Sequence, residues 1–123
     1  RRIAFTSLEP TDEQAYWDQI TTEYAEARVE YCDFSHANMG LHSHFSVVRL
    51  KNCTFTGNES GFRFRGGPND ISNNLFKNNM FGMVAYFAKA EITGNIITGN
   101  DIGFLVRRER NQGLAIHHNN IFD

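Results

Sequence analysis

The chain has 123 residues, with 12 Lys and Arg against 14 Asp and Glu, and 41% of its residues are hydrophobic. That length suits one domain, and a net charge of −2 with both signs dispersed lacks the basic surplus of a nucleic-acid footprint. No apolar run approaches the ~20 residues needed to span a bilayer, so neither nucleic acid nor a membrane span is expected.

Residues 1–28 read as a degenerate start. Thr11 to Ala15 suggests a short turn or helix, because Thr11-x-x-Gln14 fits a capping box. From Asp18 onward the pattern turns to strand.

Residues 29–123 repeat. Gly40, Gly61, Gly82 and Gly103 stand 21 residues apart. Six residues before them come Phe34, Phe55, Phe76 and Ile97, and one residue after come Leu41, Phe62, Met83 and Phe104. Leu50, Ile71 and Ile92 follow ten after the first three. The same stride carried backwards places Ile20 under Leu41, and reaches Val29 and then Leu8. A short fixed period marks a unit that buries its apolar face only by stacking on its neighbours. Within the unit the period is two, as in Phe62-Arg63-Phe64-Arg65, which describes strands with one buried face. A 21-residue unit holds about three short strands and three turns at ~3.3 Å per strand residue. The expected fold is therefore all-β: a single-stranded parallel β-helix of about five to six ~21-residue rungs.

Polar residues keep the same stride. Asn58, Asn79 and Asn100 form one column, and Asn74 and Asn95 another, which Cys32 and Cys53 share. Stacked asparagines are expected to bond from rung to rung, since each amide offers both donors and an acceptor. The cysteines are expected to be two reduced, buried thiols, because side chains stacked in parallel point the same way and disfavour the disulfide dihedral near 90°.

If residues at odd steps after each glycine face inward, the even steps face solvent. This gathers His42, His44, Arg63, Arg65, Tyr86 and Arg107 on one flat sheet, with Glu23 at its edge. Arginine forks a carboxylate and tyrosine offers a face on which a sugar stacks, so the patch is a candidate site for an acidic polysaccharide. A weaker metal reading rests on His42 and His44, which point the same way on a strand, with His36 and Met39 nearby; Met39, Met80 and Met83 are expected to pack near the core. His117 and His118, being adjacent, are expected to face opposite ways. Gly66-Gly67-Pro68 reads as a tight turn. The segment Arg107 to Gly113 breaks the repeat and reads as a protruding loop, with the Asn119 to Phe122 element arriving late relative to Asn73 to Phe76.

Strings such as LKNCTFTGNESGFRF and ITGNIITGNDIGFLV resemble the right-handed parallel β-helix repeats of the pectate-lyase-like superfamily, above all the carbohydrate-binding (CASH) and NosD-like periplasmic repeats. The resemblance covers roughly Val29 to Asp123 and implies a right-handed coil. It also implies a periplasmic, cell-surface or secreted setting. It leaves function open, because such rungs carry lyases, hydrolases, epimerases, adhesins and inert stalks. The chain lacks the Asn-Thr-Asp, Asp-Asp and Arg-Ile-Lys strings of the hydrolases, and the patch holds almost no acid. The first expectation is thus a non-catalytic binding or scaffolding module, with no resident cofactor, though calcium would suit an acidic glycan. The second is part of a polysaccharide lyase, hydrolase or epimerase. The third is a NosD-like copper-maturation factor. The ends read as cuts through a longer protein, and exposed strand edges there would favour a protein partner or end-to-end self-association.

Overall fold

A computed structural model describes residues 1–8, 16–107 and 113–123. Strands alone make up the regular structure of these residues. One sheet stacks β1 (Ile3–Phe5), β4 (Cys32–Ser35), β7 (Thr54–Thr56), β9 (Leu75–Lys77), β11 (Ile96–Thr98) and β14 (Asn120–Phe122) in that order. The second sheet has two limbs. The first limb carries β2 (Trp17–Glu23), β5 (Ala37–His44), the first half of β8 (Ser60–Ser72), the first half of β10 (Phe81–Thr93) and β12 (Ile102–Val106). The second carries β3 (Glu26–Glu30), β6 (Val47–Lys51), the later halves of β8 and β10, and β13 (Gly113–His117). All pairing is parallel, and Phe55 meets Phe76 as Phe62 meets Met83, one 21-residue turn apart. The result is a β-solenoid of about five turns.

Three corners close each turn, and each is a residue with positive φ. One corner is His36, Gly57, Asn78 and Gly99; another is Tyr24, Phe45, Gly66 and Phe87; the third is Tyr31, Asn52, Asn73, Gly94 and His118. Gly and Asn accept this conformation readily, whereas aromatic residues resist it. Tyr24, Tyr31, Phe45 and Phe87 nevertheless hold φ of 48–56°, because stacking in register requires a bend at that position in every turn.

The core is a set of columns. Phe34, Phe55 and Phe76 stack at 4.7 and 4.9 Å between ring centroids, within 6° of parallel. Phe5 extends this column on Phe34 at 5.1 Å. The column of Leu41, Phe62 and Met83 and that of Leu50, Ile71 and Ile92 are buried, with Ile20, Val29 and Phe104 packed at the margins. The glycine column is buried inside strands. A Cβ on Gly61 would stand 2.6 Å from the Gly82 carbonyl oxygen and 3.1 Å from both Phe55 and Phe76. The glycines therefore let stacked backbones approach beside the phenylalanine column.

The asparagine ladders form as expected. Asn79 Oδ1 accepts from both the backbone N–H and the side-chain amide of Asn58, at 2.9 and 3.0 Å. The Asn79 amide donates to the Phe55 carbonyl, and Asn100 repeats the arrangement one turn on. Asn74, Asn95 and Asn119 make the second ladder, which Cys53 caps through its N–H to Asn74 Oδ1. A shorter third link joins Val48 N–H to Asn69 Oδ1. Each buried amide is thus satisfied in a core where an orphaned one is costly. Cys32 and Cys53 are free and buried; burial pushes the Cys53 thiol up to about 11, so both stay protonated and inert.

Several expectations need correction. Leu8 is fully exposed; the first turn is longer, with Ile3 pairing Cys32, so the backward stride does not reach it. Gly66-Gly67-Pro68 does bend the chain, at the Gly66 corner, but the bend lies within β8 as an irregularity in its pairing with β10 and does not end the strand. The late turn is offset by 24 residues, with Ile121 opposite Ile97 and Phe122 opposite Thr98. Pairing steps by 21 up to Val106 and by 24 from Gly113, so the three extra residues enter between them. Both the proposed turn at Thr11–Ala15 and the interior of the arginine-rich loop, residues 108–112, lie outside the described residues.

Two substitutions test this core. Phe76→Ala should lower the unfolding free energy by about 3–5 kcal/mol, from lost transfer energy plus a cavity between the Phe55 ring and Ile97. Asn79→Ala should cost about 2–5 kcal/mol by leaving the Asn58 backbone N–H and one of its two amide hydrogens without an acceptor and the Phe55 carbonyl without its amide donor. Urea denaturation measures both, and an unchanged midpoint for either would disprove its column.

Candidate functional site

The first limb presents the cationic patch. In register, Thr21, His42, Arg63, Val84 and Leu105 make one outer column. Glu23 pairs with His44 in the next column, which continues through Arg65 and Tyr86. Alternation is the cause: Leu41, Ser43, Phe62 and Phe64 are buried, while the histidines and arginines between them are half-buried.

Tyr86 and Val84 correct the expectation of a solvated face, since both are about 4% exposed. The Arg65 guanidinium lies 3.8 Å from the centre of the Tyr86 ring, and that of Arg63 lies at 5.1 Å. Cation–π attraction therefore clamps both arginines over the tyrosine. Tyr86 serves as the platform of the patch, and its ring face is not free for a sugar. Arg107 follows in the same column, with its N–H donating to the Ala85 carbonyl, and its side chain is exposed.

The histidines sit beside this clamp. His42 and His44 have ring centroids 6.0 Å apart. His42 Nδ1 lies 3.0 Å from Gln19 Oε1, so it donates there and leaves Nε2 as an acceptor. His44 touches Arg65 through Nε2 at 3.5 Å and Glu23 through Nδ1 at 3.6 Å, both at the limit of hydrogen-bond reach. Burial, and then the charges of Arg63, His44 and Arg65, hold the His42 pKa below its ordinary value, so the ring is neutral at pH 7. Arg63 Nε, Arg65 Nε and His42 Nε2 are shielded from solvent and have no hydrogen-bond partner among the described residues. Neither Arg63 nor Arg65 forms an ion pair there. The patch thus offers two fixed guanidiniums to an anion, with the His42 and His44 rings beside them.

Other predicted features fall elsewhere. His36 stands at a corner, and no group of three His, Cys, Asp or Glu suited to a metal ion exists among the described residues. Met83 is fully buried and Met80 is exposed. His117 and His118 do not diverge: their Nδ1 atoms are 2.7 Å apart, because His118 occupies a corner with φ of 56°. His117 Nε2 also meets Glu91 Oε1 at 2.7 Å. Sequence reasoning missed Gln19 as the partner of His42. Its signal was weak, since the one-residue irregularity between Gln19 and Ile20 in the β2–β5 pairing hides it from the stride.

A family pattern described as a right handed beta helix region matches residues 19–123. The chain belongs to the right-handed β-helix family. No curated protein and no solved structure matches it.

The depressed His42 pKa has a consequence for stability. Below the ordinary imidazole value of ~6.5, the unfolded chain binds a proton that the folded ring still refuses. The stability held above that pH should therefore fall as the solution is acidified toward the folded pKa. His42→Gln should flatten this slope below about pH 6.5, as read from thermal midpoints. An equal slope in both proteins would show that His42 does not titrate as its surroundings require.

Proposed function

We propose that this β-helix is a non-catalytic binding module of an extracytoplasmic protein, and that its first limb takes an acidic polysaccharide. The observation that carries the reading is the pair Arg63 and Arg65: held over Tyr86, side by side on one strand, and without an acid partner among the described residues. Two guanidiniums fixed in this way are preorganised forks for carboxylates. Parallel strands repeat every ~4.8 Å, so the limb offers successive subsites along an extended chain. A uronic acid polymer supplies carboxylates at regular intervals along such a chain. Calcium, where it takes part, would bridge the glycan to Glu23 at the edge of the patch.

The balance of groups favours binding over cleavage. Glycoside hydrolysis needs two opposed carboxyl groups, whereas the ion pairs of this face bring it one, Glu23. The copper reading has less support, for want of a third ligand beside His42 and His44 among the described residues.

A glycan array of acidic and neutral polysaccharides, read with and without calcium, tests the proposal. Selective retention of acidic glycans is expected. Arg65→Ala should weaken it by about 10–100-fold, the worth of a charged hydrogen bond of ~1.5–3 kcal/mol. Failure to bind any acidic glycan would overturn the reading, and shortened glycans in a mass spectrum of the bound material would replace it with an enzyme.

A further inference from the structure

The second limb carries a charge pattern of a different kind. Down one outer column the residues are Arg28, Arg49, Asp70, Glu91 and Ala115, each paired in register with the next. Two cations stand directly on one another, and two anions follow. Like charges directly opposite in a sheet repel. The flanking column runs the other way: Glu26 pairs with Val47 at one end, and Lys89 pairs with Gly113 toward the other. Pro68 stands one residue before Asn69, which pairs with Ala90 beside Lys89, and so belongs between them. A shallow groove follows this limb, as three adjoining concavities of about 330–390 Å³, the middle one sharing Val47 and Arg49 with one neighbour and Pro68 and Glu91 with the other.

Within the chain the pattern is only partly answered. Lys51 Nζ meets Asp70 Oδ2 at 3.2 Å, and His117 meets Glu91 Oε1 at 2.7 Å, which leaves each acid a second oxygen. Glu26, Arg28, Arg49 and Lys89 form no ion pair among the described residues.

The sequence of signs is self-complementary under reversal. A second copy, turned by a two-fold axis that lies in the interface along the strand direction, faces the first with its turns in the opposite order. With that axis midway between the Arg49 and Asp70 rungs, Arg49 meets the partner copy's Asp70, Arg28 meets its Glu91, and Glu26 meets its Lys89. Val47 then faces the partner copy's Pro68, so the apolar positions also coincide. Every contact occurs twice, as an isologous interface requires. We infer that the second limb is a homodimer surface, on which two copies pack antiparallel through these three kinds of ion pair.

The size of the limb fixes the strength. The four overlapping strands at ~4.8 Å and five residues at ~3.3 Å cover ~19 by ~16 Å, or about 300 Å² per copy. The total of about 600 Å² lies well below the ~1,200 Å² of stable complexes. The dimer is accordingly weak, reversible and governed by charge. The glycan patch lies on the other limb and stays accessible in it.

Sedimentation equilibrium of the 123-residue chain tests the inference. At ~0.01 M salt, where screening extends ~30 Å, the weight-average mass should climb from 14.1 kDa toward twice that value with concentration. It should return to the monomer at ~1 M salt, where screening falls to ~3 Å. Arg49→Asp should weaken association by at least about tenfold, and Arg49→Asp with Asp70→Arg should restore it, because the double exchange keeps the face self-complementary. A second pair, Glu26→Lys alone and with Lys89→Glu, repeats the logic at the rim, and retained thermal unfolding shows that each variant is folded. A monomer at every concentration in low salt would overturn the inference. So would a dimer indifferent to Arg49→Asp, which would place the contact elsewhere, such as the open strand edges. Failure of both double exchanges to recover what the single ones lose would do the same.

Discussion

The constraint behind the whole molecule is register. Each turn must bring the chain back above its starting point one strand spacing higher, or the parallel hydrogen bonds to the next turn cannot form. Three bends per turn achieve this, and the bends fall at the same place in every repeat whatever residue occupies them. That aromatic side chains accept the left-handed conformation at Tyr24, Phe45 and Phe87 shows how far register dominates local preference. The glycine column expresses the same constraint in the interior, where a Cβ on Gly61 would collide with the backbone of the next turn.

Register also explains which features could be read from the sequence. A column needs the same chemistry at each step, so its residues repeat at a fixed stride. The phenylalanine column, the two long asparagine ladders and the paired thiols were legible for that reason. Features that break the translation were not. Leu8 falls in a lengthened first turn, and Ile121 follows an insertion of three residues, so neither obeys the stride. His118 takes the place of Gly94 at a corner, which the local alternation of strand residues does not reveal. Alternation correctly sent Tyr86 to the outer face. It could not show that two arginines from the turn before would fold over the ring and bury it, because that depends on side-chain reach.

The same translation has opposite effects on apolar and charged residues. Stacking phenylalanine on phenylalanine or amide on amide satisfies both partners. Stacking arginine on arginine does not, since the charges stand ~4.8 Å apart with only solvent to screen them. The first limb eases this by setting arginine beside a neutral histidine and over a tyrosine, so its cations are spread and fixed. On the second limb the chain places Arg28 on Arg49 and Asp70 on Glu91, with Lys51 and His117 answering only the acids.

A solenoid that keeps such columns gains nothing from them in isolation; an opposite charge from outside turns the repulsion into attraction at every step of the ladder. On the two proposed readings, the regular spacing that concentrates like charge also sets the contacts of an extended anionic polymer on one limb and of a reversed copy's strands on the other. Both proposed interactions answer this single pressure, and they differ in what the charge order selects. A run of one sign selects a polymer of the other sign, which can slide along the rungs. A run that changes sign halfway has one register in which all its charges are met, and so it selects a partner of fixed length and reversed direction, which a second copy of the same chain provides.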